Sequence, residues 1–107
     1  MSIEYRVLFR ACDKVESVHK NRRPFGLSKI QTIKVSFYSL YQAIQREKYK
    51  IVIIGDDLSL ELLDFFKDFD DVVVDNEKLG SAAKSLQKQI GISLNTPDDE
   101  WIYMCED

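Results

Sequence analysis

The stretch Tyr49–Phe66, YKIVIIGDDLSLELLDFF, decides the fold class of this chain. Its apolar run IVII (51–54) is continuous rather than alternating, which is typical of a parallel strand covered on both faces. Two aspartates follow the run. Ser59 can then cap a helix over 60–69, with Glu61 in its first turn to interact favourably with the helix dipole. A buried strand, an acidic turn and a helix together indicate one unit of an α/β domain.

The same alternation extends along the chain in both directions. Compact apolar runs at 5–11, 72–74 and 101–105 predict three further strands. A stripe with three- and four-residue spacing predicts a helix over 29–47, and Ser28 to Gln31 form a capping box at its start. A second stripe predicts a third helix that ends near Gly91; its apolar members are Leu79, Ala83, Leu86 and Ile90.

This order of elements, βαβαβαβ, predicts a three-layer α/β sandwich. A mostly parallel four-stranded sheet would be joined by right-handed crossovers, with parallel pairing between 5–11 and 50–55. At 107 residues the chain is expected to form one domain over 1–107.

Composition excludes several classes of function. A net charge of −3 argues against general nucleic-acid binding, and no apolar run approaches the roughly 20 residues of a membrane span. The start of the chain lacks a secretory pattern, and Cys12 and Cys105 are too far apart for a zinc motif. We therefore expect a protein of the reducing cytoplasm.

Charged and polar residues follow the predicted strands, at the edge of a parallel sheet where ligands bind. They are Arg10-Ala11-Cys12-Asp13, Gly55-Asp56-Asp57, Asp75-Asn76 and Glu106-Asp107. Carboxylates beside Arg and Lys suit a phosphate-bearing ligand with Mg²⁺ or Mn²⁺. The alternative is structural, because Asp and Asn also make turns and cap helices. No glycine-rich phosphate motif occurs, which argues against Rossmann dehydrogenases and P-loop proteins.

A long basic loop, 12–28, leaves the same edge. Its cations repel one another and few apolar residues can anchor it, so 14–24 is predicted to be the most mobile internal segment of the free protein. Amide hydrogen exchange should then show greater protection with a nucleoside diphosphate than without one.

Four segments, in order, resemble the inverting glycosyltransferase family that has the A-type, nucleotide-sugar fold. Segment 49–66 resembles its strand-DDxS-helix unit, and DNEKLGSAAKSLQKQI (75–90) resembles its Asn-Gly loop and small-residue helix start. DDEWIYMCED (98–107) resembles the strand that ends at the DxD metal motif, and LFRACDK (8–14) with RRP (22–24) occupies the place of the nucleotide-contacting first strand and loop. The resemblance implies the Rossmann-like, nucleotide-sugar-binding half of such an enzyme.

The resemblance also implies roles for individual residues. Phe9 to Asp13, including Arg10, Ala11 and Cys12, would line the base and ribose pocket. Asp56 would accept a hydrogen bond from the base, Asp57 would support the turn, and Lys84 would face the base or the diphosphate. Glu106 and Asp107 would begin the metal motif, with Mn²⁺ or Mg²⁺ as cofactor.

The family's acceptor site and general base have no counterpart here, so we expect an incomplete catalytic domain. It would bind a nucleotide sugar, for example a UDP-linked one, without hexosyl transfer on its own. The alternative is a non-catalytic interaction or assembly module that keeps the fold, and an exposed sheet edge would favour a homo-oligomer in either case. A third reading is a receiver-like domain phosphorylated on Asp56 or Asp57, although only Asp13 follows the first strand.

Overall fold

The computed structural model describes residues 3–13 and 26–106. Its elements in chain order are β1 (Tyr5–Ala11), α1 (Lys29–Ile44), β2 (Tyr49–Asp56), α2 (Leu60–Lys67), β3 (Val72–Glu77), α3 (Ala82–Leu94) and β4 (Trp101–Glu106). The four strands form one sheet in the order β3-β2-β1-β4, and every neighbouring pair is parallel. The predicted α/β fold is confirmed, and so is the pairing between 5–11 and 50–55. The predicted mobile segment 14–24 lies outside the described residues.

The structure confirms the predicted caps at which α1 and α2 begin. The helices end at other residues than the sequence predicts. Ser28 and Gln31 form the capping box of α1, and the Ser59 hydroxyl caps α2. Helix α3 continues past Gly91 to Leu94, because Gly91 does not adopt the left-handed conformation that ends many helices. The helix closes instead at Asn95, whose side-chain amide donates to the carbonyl of Gly91 at 3.0 Å.

The main core lies between the sheet and helices α1 and α2. Phe37 of α1 is fully buried at its centre, and its ring contacts five other aromatic rings, those of Phe9, Tyr41, Phe65, Phe66 and Phe69. The odd-numbered residues of β1 and β2 form the floor of this core. The continuous apolar run of β2 follows from this arrangement, since Ile54 is buried on the opposite face of the sheet.

Helix α3 covers that opposite face with polar side chains, contrary to the expected apolar stripe. Ser85 and Gln89 are its buried residues, whereas Leu86 and Ile90 are exposed. The reason is that the Gln89 amide donates to the carbonyls of Leu8 at 2.7 Å and Cys105 at 3.2 Å, so it satisfies main-chain acceptors beneath the helix. Hydrogen bonds from a buried polar side chain therefore help to hold α3 on the sheet.

At the amino end of the sheet, a paired salt bridge joins β1 to the turn before β4. Arg6 donates to the Glu100 carboxylate through Nε at 2.8 Å and Nη2 at 3.1 Å. The Glu100 side chain is only 7% exposed. Its pKa is lowered from the ordinary value, chiefly by the hydrogen bonds from Arg6.

This pair predicts an acid-sensitive contribution to stability. A carboxylate whose pKa is lower in the folded state stabilises the fold above its unfolded pKa, and that contribution is lost as the pH falls through the folded value. We expect Glu100→Gln to lower the melting temperature at pH 7 but to lose less stability than the parent chain below roughly pH 4.5. Thermal melts from pH 7 to pH 3 would measure this. A difference in melting temperature between the two chains that stays the same from pH 7 to pH 3 would contradict it.

Within the described parts of the chain, no helix is both long enough and apolar enough to cross a membrane.

Candidate functional site

The strand order creates a crevice between the carboxyl ends of β1 and β4. The chain runs from β1 to β2 and then to β3, and the connecting helices α1 and α2 pack on one face of the sheet. Helix α3 then crosses the other face and leads to β4, which pairs with the other edge of β1. Open α/β sheets bind ligands at such a switch point, because the connections diverge there and leave the strand ends uncovered.

A small cavity of about 90 Å³ occupies this crevice, between the strand ends and the first turns of α3. It is lined by Arg10, Ala11, Cys12, Ala82, Ser85 and Glu106. Three of the predicted nucleotide-binding residues and one predicted metal ligand therefore lie together. The volume suits one phosphate-sized group rather than a whole nucleotide.

Arg10 is the main charged donor of the cavity. Its Nη2 donates to Glu106 Oε2 at 2.7 Å, and its Nη1 donates to the carbonyl of Ala82 at 3.3 Å. The buried Nε has no hydrogen-bond partner among the described residues. The guanidinium is thus held in place from two sides, and its Nε–H is not used in these bonds.

The amino terminus of α3 faces the same region. Ser81 caps the helix, and its hydroxyl accepts from the main-chain N–H of Lys84 at 3.2 Å. Lys84 lies in the first turn, and its side chain is exposed. Free N–H groups and the helix dipole favour anions at such a terminus.

Asp56 organises the loop that leads into α3. It is 7% exposed, and its Oδ1 accepts from the N–H groups of Leu79 at 2.8 Å and Gly80 at 3.1 Å. Its Oδ2 accepts from Gly80 at 3.2 Å. Gly80 has φ +84°, a conformation that favours glycine, so the loop can present both N–H groups. Asp56 therefore binds its own loop. Contact with a nucleotide base stays a prediction, in which Oδ2 would accept a second hydrogen bond.

The turn after β2 is equally constrained. Asp57 adopts φ 51°, and its N–H donates to the carbonyl of Glu77 at 2.8 Å. Asn76 Oδ1 accepts from the N–H of Leu58 at 2.9 Å. A Cβ on Gly55 would lie 2.6 Å from the Leu58 side chain, so this position has no room for a larger residue. Asp57 lies in this constrained turn, and the supporting role that the resemblance implies for its side chain stays a prediction.

Asp13 connects β1 to the same turn. Its Oδ1 accepts from the N–H of Ser59, the cap of α2, at 3.2 Å. The predicted site residues thus fall into two groups. Arg10, Ala11 and Cys12 line the cavity, whereas Asp13, Asp56 and Asp57 brace the loops around it.

The predicted metal ligands are the least complete part of the site. Glu106 offers one carboxylate, which already forms an ion pair with Arg10. Residues 3–13 and 26–106 contain no group of three or more side chains suited to a metal ion. Asp107, the second predicted ligand, lies outside the described residues. The described side chains alone therefore do not make up a divalent-cation site.

Neither Cys105 nor a larger cavity near Arg6 adds a reactive group to this edge. Cys12 and Cys105 form no disulfide, and burial raises the pKa of the Cys105 thiol to about 11, which keeps it protonated and unreactive. A cavity of about 470 Å³ lies near Arg6 and Lys88. Both cations are already paired, Arg6 with Glu100 and Lys88 with two acids of β3.

Ala82 and Ser85 are the cavity residues that sequence reasoning missed, and Ser85 is the polar one of the two. It lies four residues after Ser81 and four before Gln89, so the three polar residues recur on one helical face. That polar spacing is the signal in the sequence, and it occurs on the same segment as the apolar stripe.

Comparison of the chain with protein-family models, with curated proteins and with solved structures finds no match.

Proposed function

We propose that this domain binds a nucleoside diphosphate sugar at the carboxyl edge of its sheet, as the nucleotide-binding half of a glycosyltransferase-like fold. One phosphate would enter the cavity beside Arg10 and the amino terminus of α3. The ribose and base would extend toward Asp13 and Asp57. The role proposed for these residues is binding, without turnover on their own.

The position of the cavity supports this proposal. It lies at the switch point of the strand order, and it combines a guanidinium that has an unused donor with a helix amino terminus. Both groups favour an oxyanion. A Mn²⁺ or Mg²⁺ ion would arrive with the diphosphate and share Glu106, so binding is proposed to be stronger with the metal. Two cysteines that form no disulfide fit the proposed cytoplasmic location.

A second candidate function is assembly. In this role the chain would form a homo-oligomer through its sheet edge. The observation that favours it is the exposed, apolar outer edge of β4, where Trp101 and Tyr103 are 73% and 58% exposed. Such edges accept a further strand.

Titration calorimetry with UDP, with and without Mn²⁺, tests the nucleotide proposal. We expect heat of binding for the parent chain and a stronger interaction with the metal. Lys84→Ala should weaken binding about tenfold, since a phosphate contact of an exposed lysine contributes on the order of 1.4 kcal/mol. The fold should survive, because Lys84 is exposed and alanine favours helices.

Lys67→Ala is the matched control. Lys67 is also an exposed helical lysine, but it ends α2 and so lies toward the amino end of the sheet. Its replacement should leave UDP affinity unchanged. Absence of any heat with UDP and Mn²⁺, or equal effects of the two lysine variants, would overturn the proposal.

A further inference from the structure

The outer edge of β4 is unusually apolar for a strand with no neighbour among the described residues. Trp101, Tyr103 and Met104 are 73%, 58% and 48% exposed. Proteins usually protect an edge strand with lysine, proline, a bulge or an inward-pointing charge. The sequence WIYMC (101–105) contains none of the protecting residues.

The acids immediately before this strand and at its last residue form ion pairs within the chain. Glu100 is bound by Arg6 and Glu106 by Arg10, both from β1. The opposite edge strand differs in polarity, because β3 ends in Asp75-Asn76-Glu77, whose two acids pair with Lys88. The apolar run is therefore longer at the β4 edge than at the β3 edge.

The hydrogen-bonding direction of β4 can be read from its ladder with β1. The N–H of Trp101 donates to the carbonyl of Glu4 at 2.8 Å, so Trp101 directs its main-chain groups toward β1. Main-chain groups alternate in direction along a strand. Tyr103 and Cys105 therefore also face β1, and Ile102, Met104 and Glu106 point their N–H and C=O groups outward.

We propose that the occupant of this edge is a second copy of the same chain, paired antiparallel about a two-fold axis at Tyr103. This register keeps equivalent faces together. Ile102 of one copy lies opposite Met104 of the other, and each of these two pairs exchanges two main-chain hydrogen bonds. Tyr103 lies opposite its own counterpart in a pair without hydrogen bonds, where side chains approach most closely. Two four-stranded sheets thus become one sheet of eight strands.

A groove beside Tyr103 provides the side-chain contact for this dimer. It has a volume of about 360 Å³ between α1 and the sheet, and is lined by Tyr5, Leu40, Ala43, Ile44, Glu47 and Tyr103. Tyr103 of the second copy would cover it. Burying the exposed parts of Trp101 and Tyr103 removes roughly 300 Å² per copy, over a third of the roughly 800 Å² that a standard interface needs. Met104, the groove and the strand backbone supply further area.

This inference deepens the assembly candidate and is independent of nucleotide binding. Sedimentation equilibrium tests it first, with an expected mass twice the 12.5 kDa of the chain. Tyr103→Lys should give a folded monomer, because it sets two lysines opposite each other at the axis. Val73→Lys is the matched control on the other edge strand, where Val73 is 45% exposed, and it should remain a dimer.

Disulfide trapping then tests the register. In a chain with C12S and C105A, Tyr103→Cys should oxidise to a covalent dimer, because Cα atoms in such a pair are about 4.5 Å apart. Val73→Cys should not cross-link. A monomeric parent chain at its highest soluble concentration, or cross-linking through Val73→Cys alone, would overturn the proposal. Tyr103→Lys should bind UDP as the parent chain does, so failure of the dimer and failure of nucleotide binding are separate results.

Discussion

Replacing Phe37 with alanine is expected to lower the free energy of unfolding by about 3–5 kcal/mol, the usual cost of removing a fully buried phenylalanine. Phe37 is fully buried, and its ring contacts rings from β1, α1, α2 and the turn after α2. Its removal leaves a cavity that no single neighbour can fill. A domain of this size has a total stability on the order of 5–15 kcal/mol, so the variant should unfold at a much lower urea concentration.

Tyr38→Ala is the control for this measurement. Tyr38 is the adjacent residue of α1, about half exposed, and its ring contacts that of Phe69 at the periphery. We expect its urea midpoint to shift far less. Similar midpoints for the two variants would contradict a core centred on Phe37.

Replacing Asp56 with alanine should lower the free energy of unfolding by about 2–3 kcal/mol and make the loop before α3 more mobile. The carboxylate is the acceptor for the N–H groups of Leu79 and Gly80, and hydrogen bonds to a charged group are stronger than neutral ones. Urea unfolding would measure the change in stability. Amide hydrogen exchange would show faster exchange at Leu79 and Gly80 than in the parent chain.

Asp64→Ala separates this local effect from loss of charge alone. Asp64 is exposed in the middle of α2, where alanine is at least as favourable to the helix. Its stability and its exchange rates at Leu79 and Gly80 should match those of the parent chain. Unchanged exchange in Asp56→Ala would mean that the loop is held by other contacts.

The sequence sufficed for the order and type of the elements because local signals agreed with the fold. The apolar run of β2 and the caps at Ser28 and Ser59 each specify structure over a few residues. The face that α3 turns to the sheet was not predictable in the same way. Periodicity identifies an apolar stripe, but Gln89 is buried because of two carbonyls that belong to distant strands.

For the candidate site, the sequence predicts which residues lie close together but not which hydrogen bonds they form. Chain order brings the ends of parallel strands to one edge, so the neighbourhood of Arg10 and Glu106 follows from the topology. Which partner each side chain takes depends on the backbone of the loops. The bonds from Asp56 to its own loop require the left-handed conformation of Gly80, and no residue pattern in the sequence specifies that pairing.

The central position of β1 has a consequence for the order of folding during synthesis. β1 is the first strand made, and its partner β4 is the last of the four, yet the register sets Tyr5 beside Trp101. β2 can pair with β1 early, whereas the other edge of β1 stays unpaired until residues 101–106 have emerged. Long-range parallel pairing of this kind is slow. The nascent chain therefore carries an apolar central strand with one open edge until residues 101–106 emerge, and it is most prone to aggregate between completion of β2 and arrival of β4.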